Sequence, residues 1–330
     1  MAEISNNSPS LHLVDPELVD FIKLFPLNSL NRDNLSVIRE MWGEFFALAD
    51  CPEGGPVTRE ERFITSTGPD GNSIRILVYT PRIVTSDKLP IYVHIPGGGY
   101  ILPGLEAIDE RNLRFAEKHQ CIVVSMSYRL APENPFPCGI EDCYAVLKWA
   151  YDNASELSVD KDRIVIGGES AGGGLTAALA LLTRDRGEIP LAGQILIYPM
   201  IDDRTGSTVP ASPLTGEFIW TRESNRLGWE SLLDTASPGD PDVSPYAAAT
   251  RADDLSNLPP CTLIVGTLDL FLEENIAYAQ RLMLAGIPTD LRVFSGAYHG
   301  FELSGNHSTL SKKFYDIYDS ALEQYFTEKP

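Results

Sequence analysis

Basic residues and histidine are scarce in this chain of 330 residues, and long apolar runs are missing. Lys and Arg together number 26 against 46 Asp and Glu, a formal net charge of −20. A surface of that sign repels polyanions, so nucleic acid and anionic membranes are not expected as partners. No uncharged apolar stretch reaches the roughly 18 residues that a membrane span needs. The opening residues, MAEISNNSPSLHLVDPELVD, are polar and acidic, without the basic and apolar regions of a secretory leader, which makes the cytoplasm the expected location. The five cysteines (Cys51, Cys121, Cys138, Cys143, Cys261) are odd in number and scattered, so neither a disulfide framework nor a zinc spacing is expected. Three of them lie in apolar runs, where a small buried thiol is at home.

What is present, from about residue 74 onward, is an alternation of short β-branched runs with segments of helical period. The runs are IRILVY (74–79), IYVHI (91–95), CIVVSMS (121–127), RIVIGG (163–168), QILIY (194–198), CTLIVG (261–266) and LRVFSG (291–296). Helices are expected near 107–119, 139–152, 171–184 and 273–285, and a final one carries Leu310, Phe314, Ile317, Ala321 and Tyr325 at helical spacing. This is the pattern of an α/β fold with a mostly parallel sheet covered by helices on both faces. Two segments break it. Residues 1–50 hold apolar helix-like pieces but no strand, and 202–245 are rich in Pro, Gly, Ser and Thr. Long insertions of this kind are usually lids or binding loops. Both are assigned to a cap above the sheet, leaving 51–201 and 246–330 as core.

The stretch GGESAGGG, beginning at Gly167, joins the run RIVI to the helical run LTAALALL. Within it, Gly168 to Gly172 is a G-x-S-x-G elbow: the serine is forced into a strained turn between strand and helix, and side chains two positions either way would clash with neighbouring segments. Ser170 is thereby presented at the carboxyl end of a strand, where open α/β sheets bind ligands. A serine hydroxyl needs a base, and the base an orienting acid. With such an elbow the partners follow in the order Ser, Asp or Glu, His. Asp269 follows CTLIVGTL, and His299 follows LRVFSGAY. The other histidines place poorly, His94 being within a strand, His119 at a helix end, His12 in the cap and His307 at the start of the last helix. Glu273 and Glu274, rivals to Asp269, fall at a helix start, where negative charge is favourable.

The loop HIPGGGYILPG (94–104) is rich in backbone donors but matches no phosphate-binding glycine pattern. Attack of Ser170 on an ester carbonyl generates an oxyanion, which Gly98, Gly99 and the amide of Ala171 would hold, at about 3–4 kcal/mol for each donor. Tyr100, Phe218, Trp220, Trp229 and Phe271 are the aromatic residues expected to line the substrate pocket.

These motifs, with SYRLAPENPFP (127–137), DRIVIGGESAGGGL (162–175), YPMID (198–202) and YHGF (298–301), resemble those of the hormone-sensitive-lipase family of α/β-hydrolases, which includes the bacterial family IV esterases. The resemblance spans nearly the whole chain. It implies an α/β-hydrolase fold with a cap, serine carboxylester hydrolysis without cofactor or metal, a small-molecule ester as partner, often a short acyl group, and often a homodimer. Other readings on the same scaffold are an acyltransferase, a dehydratase, or a small-molecule receptor of the gibberellin-receptor type; the last lacks the histidine, and dehydratase relatives can replace the nucleophile. Three departures stand out. Pro96 occupies the place of the family's loop histidine, which predicts altered support of the loop. His94, two residues earlier, could stand in only if its strand were out of register. Leu270 and Phe271 replace the usual Pro-Leu after the acid and predict extra apolar bulk at the acyl pocket. Glu169 stands where Asp is commoner and is read as a loop-bracing carboxylate.

Overall fold

The apolar runs form a single sheet because both faces of its inner strands are buried. In the computed structural model, which describes residues 8–23, 30–66, 71–84 and 86–327, eight strands stand in the order β1-β2-β4-β3-β5-β6-β7-β8. They are β1 (Val57–Thr65), β2 (Ser73–Pro81), β3 (Leu89–Ile95), β4 (Ile122–Ser127), β5 (Val159–Glu169), β6 (Gly193–Ile197), β7 (Cys261–Gly266) and β8 (Thr289–Phe294). β2 runs antiparallel to both of its neighbours, and from β4 to β8 all pairings are parallel. Every residue of β3, β6 and β7 is buried, as expected of parallel strands covered on both sides. β1 is not among the runs expected from the sequence. Its residues, VTREERFIT, are largely half-buried or exposed, because it is an edge strand whose charged side chains meet water.

The helices are α1 (Val19–Ile22), α2 (Leu35–Phe45), α3 (Asp109–His119), α4 (Cys138–Asp152), α5 (Ala171–Arg186), α6 (Arg222–Leu233), α7 (Leu272–Leu284) and α8 (Thr309–Thr327). α3 packs against α8, α4 against α5, and α7 covers β7 and β8. α8 holds Phe314, Tyr318, Leu322 and Tyr325 buried at the expected helical spacing. α6 lies inside the segment expected to be irregular, capped by the Thr221 hydroxyl, which accepts from the Ser224 amide.

The N-terminal segment and the 202–245 insertion, both assigned to the cap, touch one another and the core at the carboxyl ends of the strands. Of 1–50, residues 1–7 and 24–29 lie outside the described residues. The Leu30 amide donates to Ser224 Oγ (3.1 Å) and the Ser10 amide to Glu217 Oε2 (3.1 Å). Arg39 on α2 donates to the carbonyls of Ile101 and Ala131 and pairs with Glu133. Asp203 receives Arg251 through two hydrogen bonds of 2.8 and 2.7 Å and the Gly239 amide at 2.6 Å, tying the insertion to the core at both ends. Among the described residues no helix is long and apolar enough to cross a membrane.

Candidate active site

Ser170 caps α5 at the end of β5 with φ 55° and ψ −121°, a conformation that few non-glycine residues adopt. Its backbone is held by the Ile197 carbonyl, which accepts from the Ser170 amide (2.9 Å), and by the Met200 amide, which donates to the Ser170 carbonyl (2.9 Å). A side chain at Gly168 or Gly172 would collide with the Ile95 carbonyl, so the elbow packs onto β3 only with glycine at both places. Ser170 Oγ lies 2.9 Å from His299 Nε2, and His299 Nδ1 lies 2.9 Å from Asp269 Oδ2. The second Asp269 oxygen accepts from the Phe271 amide (2.9 Å). With Nδ1 donating to the buried carboxylate, Nε2 is left as the acceptor facing the hydroxyl. Glu273 is exposed, whereas Glu274 accepts from the amides of Ile201 and Asp202 (2.8 and 3.2 Å); neither approaches the histidine in place of Asp269.

The glycine loop lies over the elbow. Gly98 and Gly99 take φ of +126° and +59°, and the Gly98 carbonyl accepts from the Ile101 and Leu102 amides, turning the loop back on itself. Among the described residues no protein group accepts from the Gly98 or Gly99 N–H. The Ala171 N–H belongs to the first turn of α5, whose amides have no partner within the helix. Where the family has its loop histidine, the Pro96 carbonyl accepts from the Tyr128 hydroxyl (3.0 Å). His94 does not replace that histidine. β3 stays in register through His94 and Ile95, leaving His94 two residues short of Pro96.

His94 instead faces Glu169. Its Nε2 lies 2.9 and 3.1 Å from the two Glu169 oxygens, and its Nδ1 lies 3.0 Å from Ser125 Oγ. Arg111 of α3 also donates to Glu169. Burial alone would raise the Glu169 pKa, but Arg111 and His94 overcome it and bring it down to about 2; burial keeps His94 below its ordinary value. Arg111 was not foreseen, although it stands one helical turn from Ile108 and Phe115, on the face that α3 buries. A second carboxyl, Glu302, lies beside the site, hydrogen-bonded to the Tyr198 hydroxyl, and burial pushes its pKa up.

A cavity of about 300 Å³ opens onto Ser170 and His299. Its floor includes Gly97, Gly98, Gly99 and Tyr198, and its walls are chiefly apolar, with α2 contributing Ile38, Met41, Trp42 and Phe45. Of the five aromatic residues expected at the pocket, Trp220 lines it, and the other four do not. Tyr100 is drawn beneath the loop by its hydrogen bond to the Met200 carbonyl (2.7 Å) and packs on Trp229, ring centroids 5.2 Å apart. Phe218 packs on Tyr298 (5.8 Å), and Phe271 sets its edge against the His299 ring (5.4 Å). Leu270 is buried beneath Gly216 of the insertion, so the bulk expected at the acyl pocket supports the histidine and the insertion instead. The α2 residues went unrecognised as pocket lining because an amphipathic helix gives no local sign of what its apolar face covers. Among the described residues no group of three His, Cys, Asp or Glu side chains could hold a metal ion.

Residues 91–303 match the model of a family described by its α/β-hydrolase fold. The chain is similar to carboxylesterase NlhH of Mycobacterium tuberculosis, 35% identical over 297 residues that cover 87% of this chain and 88% of the relative. It is 30% identical to an arylesterase of Saccharolobus solfataricus, over 87% of this chain and 92% of that one. The structure of a bacterial heroin esterase superposes with a TM-score of 0.87 at 33% identity, covering 96% of this chain and 99% of that chain. By these matches the chain belongs to the α/β-hydrolase-fold family, in its hormone-sensitive-lipase-like group.

Proposed function

We propose that the chain is a serine carboxylic ester hydrolase that works through an acyl-enzyme on Ser170. The observation that carries this reading is the Ser170, His299, Asp269 line at 2.9 Å per step, set against the N–H groups of Gly98, Gly99 and Ala171. Ser170 Oγ attacks the ester carbonyl while His299 Nε2 takes its proton. Asp269 holds the imidazole and stabilises the cation that forms. The carbonyl oxygen becomes an oxyanion between the loop and the head of α5, and the three N–H groups are its donors. His299 then protonates the leaving alkoxide. Water, activated by the same imidazole, attacks the acyl-enzyme, and collapse of the second tetrahedral intermediate releases the acid and restores Ser170.

The apolar walls of the cavity favour esters with an uncharged apolar group, and α2 with the 202–245 insertion acts as the cap over it. The complete set of three residues speaks against the receptor reading. Turnover of p-nitrophenyl acetate, butyrate and octanoate by wild type and Ser170→Ala tests the proposal. Wild type turns over, and the variant loses at least about 10⁴ in kcat. An inert wild-type protein that a phosphonate probe fails to label would overturn it.

A further inference from the structure

We propose that Glu169, gripped by Arg111 and His94, is a positioning residue that locks the nucleophile elbow to both flanks of the glycine loop, the task left open by Pro96. The inference rests on the ester-hydrolase reading for its kinetic consequence, but not for its geometry.

The three side chains come from three places that matter to the site. His94 is on β3, two residues before Pro96 and three before the first loop glycine; Arg111 is on α3, which begins soon after the loop ends; Glu169 directly precedes Ser170. All three are buried. A carboxylate only accepts, so the imidazole nitrogen 2.9 Å from it carries a proton, and the other ring nitrogen accepts from the Ser125 hydroxyl on β4. Arg111 Nη2 and His94 Nε2 stand 3.0 Å apart as two donors sharing one carboxylate. Among the described residues the guanidinium pairs with no other anion: its Nε is without a partner, and its planar face lies over Phe115 and Tyr318, 5.8 and 5.5 Å from the ring centroids. Glu169 thus joins β3, β4, α3 and the elbow through one group. The other ionisable groups around it, among the described residues, are Tyr92, Tyr128, Tyr198, Tyr315, Tyr318 and Glu302. A network used only for stability could equally be replaced by apolar contacts. One that aims the donors of the loop at a carbonyl on Ser170 could not, because displacements of about 1 Å at such a site can cost 10²-fold in rate.

The test compares wild type, Glu169→Gln, Glu169→Asp and the double variant Glu169→Gln with Arg111→Met, which removes both charges. Melting temperature, kcat and KM are measured on p-nitrophenyl butyrate, with amide hydrogen exchange of peptides covering 96–108. Glu169→Gln loses about 10- to 100-fold in kcat with KM within about twofold, and Glu169→Asp recovers part of the loss. The double variant regains thermal stability without regaining kcat, and exchange in the loop rises in both Gln variants while β6 to β8 are unchanged. If kcat follows melting temperature through the series, or loop exchange equals wild type, the proposal fails. A wild-type protein without esterase turnover would sink the functional reading alone; the exchange comparison would still decide this one.

Discussion

The indole of Trp220 occupies the space that a side chain on Gly99 would need, and Gly99 sits at φ +59° besides. Alanine at 99 therefore meets both a left-handed backbone and a ring already in its place. We expect Gly99→Ala to move the loop and to lower kcat by about 10²- to 10³-fold, the effect of losing one oxyanion donor. Adding Trp220→Ala relieves the collision but not the backbone strain, so melting temperature rises part of the way while kcat stays low. Steady-state kinetics and thermal melts of the two variants check this; a Gly99→Ala enzyme with wild-type kcat would contradict it.

Asp269 is fully buried and spends one oxygen on His299 and the other on the Phe271 amide. Asp269→Asn keeps the shape but offers the imidazole a donor where it needs an acceptor, favouring the wrong tautomer. A fall of about 10⁴ in kcat, with little change in KM, is expected. A loss smaller than tenfold would show that another group orients the histidine.

The Arg251 and Asp203 pair predicts a purely structural effect. Asp203 is fully buried and its three hydrogen bonds secure both ends of the insertion. Asp203→Ala strands Arg251 in a poorly hydrated place and costs about 3–5 kcal/mol of unfolding free energy, measured by urea denaturation. Removing both charges, with Arg251→Met added, recovers most of it.

Glu302 sets a pH dependence. Its carboxyl titrates above the ordinary 4.5, chiefly through burial, so the folded protein keeps a proton that the unfolded chain has already released. That contribution to stability is complete below about pH 4.5 and is lost as pH rises through the raised value. Glu302→Gln mimics the protonated form at every pH. Its melting temperature relative to wild type should climb as pH rises above about 4.5; a difference that does not change with pH would refute the assignment.

The inner strands and the three residues of the candidate relay were legible because each announces itself locally: continuous β-branched runs, glycines around Ser170, and an acid and a base each just beyond a strand. Other features depend on what lies across space. β1 hides because an edge strand carries its charges openly, and α6 because the insertion around it is dominated by turn residues. Arg111 looked like one more charge in DERNLRFAEKH until the elbow carboxylate was placed against it. The aromatic residues near the site were identifiable, but which of them face the cavity is decided by hydrogen bonds such as that from Tyr100 to Met200, which no spacing encodes.

Ser170 and His299 meet across a separation of 129 positions in the chain. Their encounter requires β6, β7 and β8 to be added in turn to the same edge of the sheet, contacts that form slowly because long stretches of chain must close first. Recovery of catalysis after dilution from denaturant therefore reports the last events of assembly, and should trail the return of helical circular dichroism.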